Sequence, residues 1–190
     1  TDPEQRKPAE DQIGQLQDQP RFGFLLLALV QSESTSTAIR LASAIQFKNL
    51  CKTRWNVDAE TEDPVFSAVS DDEKQAIRQQ LVPVLVSLAS ASTPSQAILS
   101  QMNESVALVA SSDFPEAWPA LIDELVSQLS TDNHHVLLSV LATSHAIFKQ
   151  WRSQFRSDAL YSEINLVLGK MANPLLELLQ RMHGMLLDLS

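Results

Sequence analysis

The chain of 190 residues has one cysteine, four glycines and only 6% aromatic residues. A lone Cys51 can close no internal disulfide. It lies in an apolar-periodic stretch with Ala44 and Phe47, where it reads as a buried thiol of a reducing, intracellular compartment. Four glycines and nine prolines are too few to punctuate a sandwich or barrel, whose strands break every ~8–12 residues. Cations are also scarce. Fourteen Lys and Arg against 23 Asp and Glu give a net charge of −9, which argues against nucleic acid or an anionic membrane as partner and favours a basic protein surface. The longest apolar run, Phe22 to Val30, is interrupted by Gly23 and is too short to span a bilayer. The N-terminus lacks a signal-peptide layout and an initiator methionine, so the first residues of the natural protein are expected to be missing or processed away.

What is abundant is the vocabulary of helices. Apolar residues make up 44% of the chain, mostly Leu, Ala and Val, and recur at helical spacing between short polar breaks. The fold class is all-α. Eight segments are expected. The first runs from Pro3 or Pro8 to Gln17 and the second from Arg21 to Gln31. The third is capped by Thr35 or Ser36 and reaches Trp55. An acidic connection over 56–70 follows. Ser70 or Asp71 then caps a fourth helix, with Glu73 placed for a capping box and Pro83 as a kink before Ala89. Thr93-Pro94 opens a fifth helix that stops near Ser112. Asp113 with Pro115 starts a sixth, ending near Ser130. Asp132 or Asn133 caps a seventh, reaching Trp151 or Arg152. Ser157 or Asp158 opens an eighth, expected to be kinked or broken at Gly169 and Pro174.

Eight helices can form a globular bundle or a row of stacked pairs. Phe47-Lys48 aligns on Phe148-Lys149 at an offset of 101 residues, which two repeats of ~40–47 residues and the acidic connection would fill. In such a stack each hairpin leaves an apolar face for the next. Met182, Met185, Leu186, Leu187 and Leu189 then form an uncovered end, as expected of a piece of a longer solenoid.

No catalytic constellation is present. Adjacent His134 and His135 point about 100° apart on a helix and cannot share a metal, His145 has no carboxylate one turn away, and His183 stands alone. There is no Gly-rich phosphate loop and no nucleophile elbow. Asn103-Glu104-Ser105 fits a glycosylation acceptor but falls mid-helix. Neither a metal nor a cofactor is expected.

The second helix of each pair is more informative. At 100° per residue, Phe22, Leu25, Leu26 and Leu29 share one face of the second segment, leaving Phe24, Leu27 and Gln31 opposite. In the fourth, Ile77, Leu81, Leu85 and Leu88 form the core stripe, with Asp72, Gln75, Gln79, Val82 and Val86 opposite. In the sixth, Trp118, Ile122, Leu125 and Leu129 are core, with Glu116, Asp123 and Ser127 opposite. The opposite faces make a stripe, greasy at the centre and acidic at the rim, suited to a protein partner. Packing of Val82 and Val86 on a neighbouring helix is the competing reading.

Three ordered motifs carry a resemblance. AEDQIGQLQDQPRFGFLLLALV followed by AIRLASAIQFKNLCKTRW resembles the N-terminal domain of the importin-beta (karyopherin) superfamily, and DFPEAWPALIDELVSQL is similar to its Asp-Phe-Pro-x-x-Trp-Pro signature. VLATSHAIFKQWRSQFRSDALYSEINLVL resembles the fourth repeat of the importin-alpha exportins. Pro8 and the acidic connection depart from the pattern.

The resemblance implies a right-handed α-solenoid of HEAT repeats, armadillo-like, about four hairpins long. First helices are expected on the convex side and second helices on the concave side. It also implies an N-terminal domain over about 9–89 and further repeats over about 90–190. The implied partners are Ran-GTP on the inner helices, importin-alpha as cargo mostly on repeats further along, and nucleoporins, in a receptor that shuttles between nucleus and cytoplasm. Phe47, Lys48, Asn49, Trp55, Phe114 and Trp118 then read as packing and capping residues. An import receptor of the same superfamily and a HEAT scaffold without GTPase binding are the alternatives.

Overall fold

The computed structural model describes residues 16, 19–56 and 69–188, apart from the side chains of Leu186 and Asp188. All of the expected first helix but Leu16, and most of the acidic connection, lie outside the described residues, as does Leu189. Among the described residues there are seven α-helices and no strand: α1 Phe22–Gln31, α2 Thr37–Thr53, α3 Asp71–Ser90, α4 Gln96–Asp113, α5 Leu121–Ser127, α6 His134–Gln150 and α7 Asp158–Asp188.

The caps explain most of the boundaries. Ser36 Oγ accepts from Ile39 N, Ser70 Oγ from Glu73 N at 3.3 Å, Asn133 Oδ1 from His135 N at 3.0 Å, and Ser157 Oγ from Leu160 N at 3.2 Å. Each satisfies a helix N-terminal donor that has no partner inside its own helix.

Two expectations fail. Residues 114–120 form turns, so α5 has only seven residues. Asp113 does not cap α5. It ends α4, and its carbonyl accepts from Ala117 N at 2.7 Å and Trp118 N at 2.8 Å. Of the two readings for α7, kinked or broken, the break is excluded: it runs 31 residues through Gly169 and Pro174. Gly169 is exposed and nothing lies within 4 Å of an added Cβ, so it costs only helix propensity there. α3 likewise continues through the exposed Pro83.

The helices form two rows. α2, α4 and α6 lie side by side in one, and α1, α3, α5 and α7 in the other. α1 against α2 and α3 against α4 join the rows, and the shortness of α5 leaves α3 touching α6 as well. One continuous apolar cluster runs between them, from Phe22 and Phe47 through Leu81, Met102 and Leu125 to Val167 and Leu178. This is the arrangement of stacked helical pairs rather than a closed bundle.

Several helix ends are capped from a neighbouring element. Glu73, in the first turn of α3, accepts from Arg21 N and Gly23 N, both at 3.2 Å, and so caps the start of α1. Arg40 of α2 donates Nε to Val30 O at 2.8 Å, at the end of α1. Arg181 of α7 donates to Leu129 O, Ser130 O and Thr131 O at 2.9, 2.9 and 3.2 Å, just past α5. Exposed apolar side chains gather on α7, among them Leu176, Leu179, Met182, Met185 and Leu187.

Candidate functional site

Four of the six residues expected to pack or cap are in the core. Phe47, Trp55, Phe114 and Trp118 are buried. Lys48 pairs with Glu104 of α4 at 3.4 Å, while Asn49 is exposed. The Asp-Phe-Pro-x-x-Trp-Pro stretch is a joint: Asp113, itself buried, accepts from Trp55 Nε1 at 3.1 Å and pairs with Arg78 of α3. Cys51 is buried too, and burial pushes its thiol far above the usual range, as expected of an inert structural cysteine. Asn103 sits between helices, its Oδ1 accepting from Thr143 Oγ1 at 2.9 Å and Ser139 Oγ at 3.2 Å, which agrees with the mid-helix reading of that acceptor pattern. His134, His135, His145 and His183 are all exposed. No cluster of three metal-ligating side chains occurs among the described residues, and no helix among them is long and apolar enough to cross a membrane.

The stripe on the second-helix row needs correction at two positions. Leu27 is 1% exposed and Val82 3%, so neither can meet a partner. The buried face of α1 is Phe22, Leu26, Leu27 and Val30, and Leu25, assigned above to the core, is 50% exposed. The reason is physical. α1 is apolar on nearly every side, so a helical wheel cannot choose its inner face, and packing against both α2 and α3 does. In α3 and beyond, Ile77, Leu81, Leu85 and Leu88 are buried as expected, as are Trp118, Ile122, Leu125 and Leu129.

The other stripe residues reach the surface but are not equivalent. Phe24 and Asp72 meet in one groove of about 630 Å³ between α1 and α3, lined also by Pro20, Arg21, Glu73 and Ala76. Gln75 and Gln79 are exposed on α3, and Val86 is half-buried. Gln31 is exposed, with its amide donating to Leu27 O at 3.3 Å. Glu116 lines a separate groove of about 410 Å³ with Phe114, Pro115 and Leu160. Asp123 is paired with Lys170 of α7 at 2.7 Å, and the Ser127 hydroxyl donates to Glu124 O at 2.7 Å. Of the stripe residues, Phe24 of α1 and Asp72 of α3 are the two brought into one groove, and Leu25 is a further exposed apolar side chain of α1.

Glu124 is a carboxyl whose titration is shifted. Burial raises its pKa, opposed in part by a hydrogen bond from Trp118, and its Oε2 is buried without a partner. The folded state therefore holds this proton to higher pH than the unfolded chain, and stability falls as pH rises through and above the ordinary carboxylate range. Glu124→Gln is expected to raise the melting temperature at pH 7, with the advantage fading as both proteins are acidified below that range. Paired thermal melts across pH check this, and a variant less stable at pH 7 would contradict it.

Comparison with known proteins places this architecture. Residues 9–87 match the Importin-beta N-terminal domain and residues 147–188 the Cse1 family. Exportin-2 of Drosophila melanogaster is 34% identical over 94% of the chain, and the Importin alpha re-exporter of Saccharomyces cerevisiae 38% over 92%. A solved structure, the exportin Cse1 in its cargo-free, cytoplasmic state, superimposes with a TM-score of 0.79 at 35% identity over 92% of the chain. The chain belongs to the importin-beta superfamily. Within it, the relatives matched carry the names exportin-2 and importin-alpha re-exporter, so the resemblance read from the three motifs holds. The helical solenoid of Cse1 is the fold seen here as two rows of helices. The chain spans 17–18% of the length of these curated superfamily members.

Proposed function

We propose that this chain is the N-terminal arch of a nuclear export receptor that carries importin-alpha from nucleus to cytoplasm, and that its second-helix row binds Ran in the GTP form. The observation that carries the reading is the match to an importin-alpha re-exporter and to the Cse1 solenoid over more than nine-tenths of the chain. The importin-beta N-terminal domain would extend to about residue 89, with further HEAT repeats from there to 190. Importin-alpha would bind mostly to repeats beyond this chain, with nucleoporins met during shuttling through the pore. The receptor would be non-enzymatic and without cofactor. Its mechanism is linkage: Ran-GTP and cargo favour the same curvature of the solenoid, so each raises the other's affinity, and GTP hydrolysis releases both.

The Ran-facing surface, on this reading, is the exposed part of α1 and α3: Phe24, Leu25, Asp72, Gln75 and Gln79, with Glu116 further along the row. The apolar pair at α1 and the adjoining carboxylate supply a greasy centre and a charged rim. Binding of this chain to Ran loaded with a non-hydrolysable GTP analogue, compared with GDP, tests the first half. A Leu25→Asp, Asp72→Lys double variant changes only exposed side chains, so its helicity should persist while affinity for the GTP form falls roughly tenfold or more. Equal binding of both nucleotide forms, or an unchanged variant, would overturn the assignment. A full-length protein should bind importin-alpha only when Ran-GTP is present; cargo binding without Ran would point to an import receptor instead.

A further inference from the structure

Arg21, immediately ahead of α1, is the one non-glycine residue with a positive φ among the described residues, at φ 65° and ψ 22°. This left-handed region crowds the Cβ of an L-residue, and glycine or asparagine enters it at lower cost than arginine. Contacts within the molecule do not account for an arginine here. Its side chain caps no helix, forms no ion pair among the described residues, and the residue is exposed. What the fold holds is its backbone. Glu73 Oε2 accepts from Arg21 N and Oε1 from Gly23 N, both at 3.2 Å. Phe22 between them is buried, and Gly23 sits so close to α3 that an added Cβ would lie 2.9 Å from Ile77 Cδ1.

Arg21 also lines the groove of about 630 Å³ between α1 and α3, with Pro20, Phe24, Asp72 and Glu73. Two carboxylates in the same lining do not neutralise it. Both Glu73 oxygens are taken by the two amides, and Asp72, exposed, forms no ion pair among the described residues. One groove thus offers an uncommitted cation and an uncommitted carboxylate beside an aromatic ring. Arginine and aromatic side chains are among the types that dominate binding energy at protein interfaces. A strained residue held in place beside such a groove is the observation from which a role in binding is inferred.

We propose that Arg21 is a specificity-determining contact of the partner surface, its guanidinium receiving a carboxylate of the GTPase while Asp72 meets a cation beside it. This rests on the reading of the α1 and α3 surface as the one that binds Ran. By fixing the backbone of Arg21, Glu73 holds the residue at the groove before the partner arrives, which lowers the ordering cost of binding. In a chain of net charge −9 the contact also fixes register, because an acidic segment meets attraction at Arg21 and repulsion from the net charge elsewhere.

Arg21→Gly separates contact from packing. Glycine adopts the left-handed conformation freely, so the variant should melt at or above the parent. Its affinity for Ran loaded with a non-hydrolysable GTP analogue should nonetheless fall roughly tenfold, as for a lost charge-assisted contact. Arg21→Glu should lose more than the glycine variant, and Arg21→Lys, which keeps the charge, should lose less. The loss in Arg21→Gly should shrink as salt is raised, because screening weakens the contact in the parent. Calorimetric titrations at two salt concentrations, with paired thermal melts, read all of this. A glycine variant that binds like the parent, or a loss that salt leaves unchanged, would overturn the proposal. So would a glycine variant that melts well below the parent, since the arginine would then be holding the fold. Failure of the parent to bind either nucleotide form would overturn the transport reading and this assignment with it, whereas binding that the glycine variant matches would remove the assignment alone.

Discussion

Asp113→Ala should cost about 3–5 kcal/mol of stability, the range for removing one partner of a buried ion pair. Asp113 and Arg78 have side chains only 9% and 15% exposed, so the guanidinium cannot recover its lost partner from bulk water. The same change strips the acceptor from the Trp55 indole, buried at the end of α2. Three elements lose their common tie at once: α2, α3 and the turn that follows α4. Asp113→Asn keeps an acceptor oxygen for Trp55 and is expected to cost less. Urea midpoints at constant slope measure both, and an alanine variant that melts with the parent would remove Asp113 as the joint.

The second large effect is expected at Gly23. A Cβ there would lie 2.9 Å from Ile77 Cδ1 and 3.1 Å from Glu73 Oε1. Helix propensity alone favours replacing a helical glycine, by up to about 1 kcal/mol for alanine. Packing opposes it, because Ile77 is fully buried and has little room to withdraw. Gly23→Val, which adds two methyl groups beyond the Cβ, should therefore destabilise by roughly 1–3 kcal/mol through overpacking. Displacing Glu73 from the start of α1 should add about 1 kcal/mol for the lost cap. Combining Gly23→Val with Ile77→Ala should recover part of the loss, a non-additivity that a denaturation double-mutant cycle reads directly. Strictly additive losses would show that the contact is not the cause.

These two positions mark where the sequence was legible and where it was not. A glycine inside an apolar run signals a close approach, but Ile77 lies 54 residues on and no local pattern names it. Asp113 ahead of Phe-Pro reads as a helix cap from local chemistry. Its carboxylate instead turns inward because Trp55 and Arg78 wait there, and that depends on how α2, α3 and α4 stack. The capping box at Ser70 was half right: Ser70 accepts from Glu73 N, while the Glu73 carboxylate reaches α1. Boundaries of α3 and α6 were legible because Ser70 and Asn133 are strong local caps. The core faces of α3 and α5 were legible because polar residues alternate with apolar ones around them. α1 has too few polar residues to mark a face, so Leu25 and Leu27 exchanged roles. The partner surface inherits that limit, since a wheel shows which residues share a face but not which neighbouring helix covers it.

The borrowed caps bear on how the array comes apart. Glu73 closes α1, Arg40 closes its other end, and Arg181 closes the turn after α5, each reaching in from another helix of the stack. When α3 frays at its start, the first turn of α1 is left with bare amides, so melting of one pair lowers the barrier for the next. Unfolding then advances as a front along the row, as in a chain of coupled dominoes, and amides of α1 and of the first turn of α3 should exchange with solvent as a single kinetic unit.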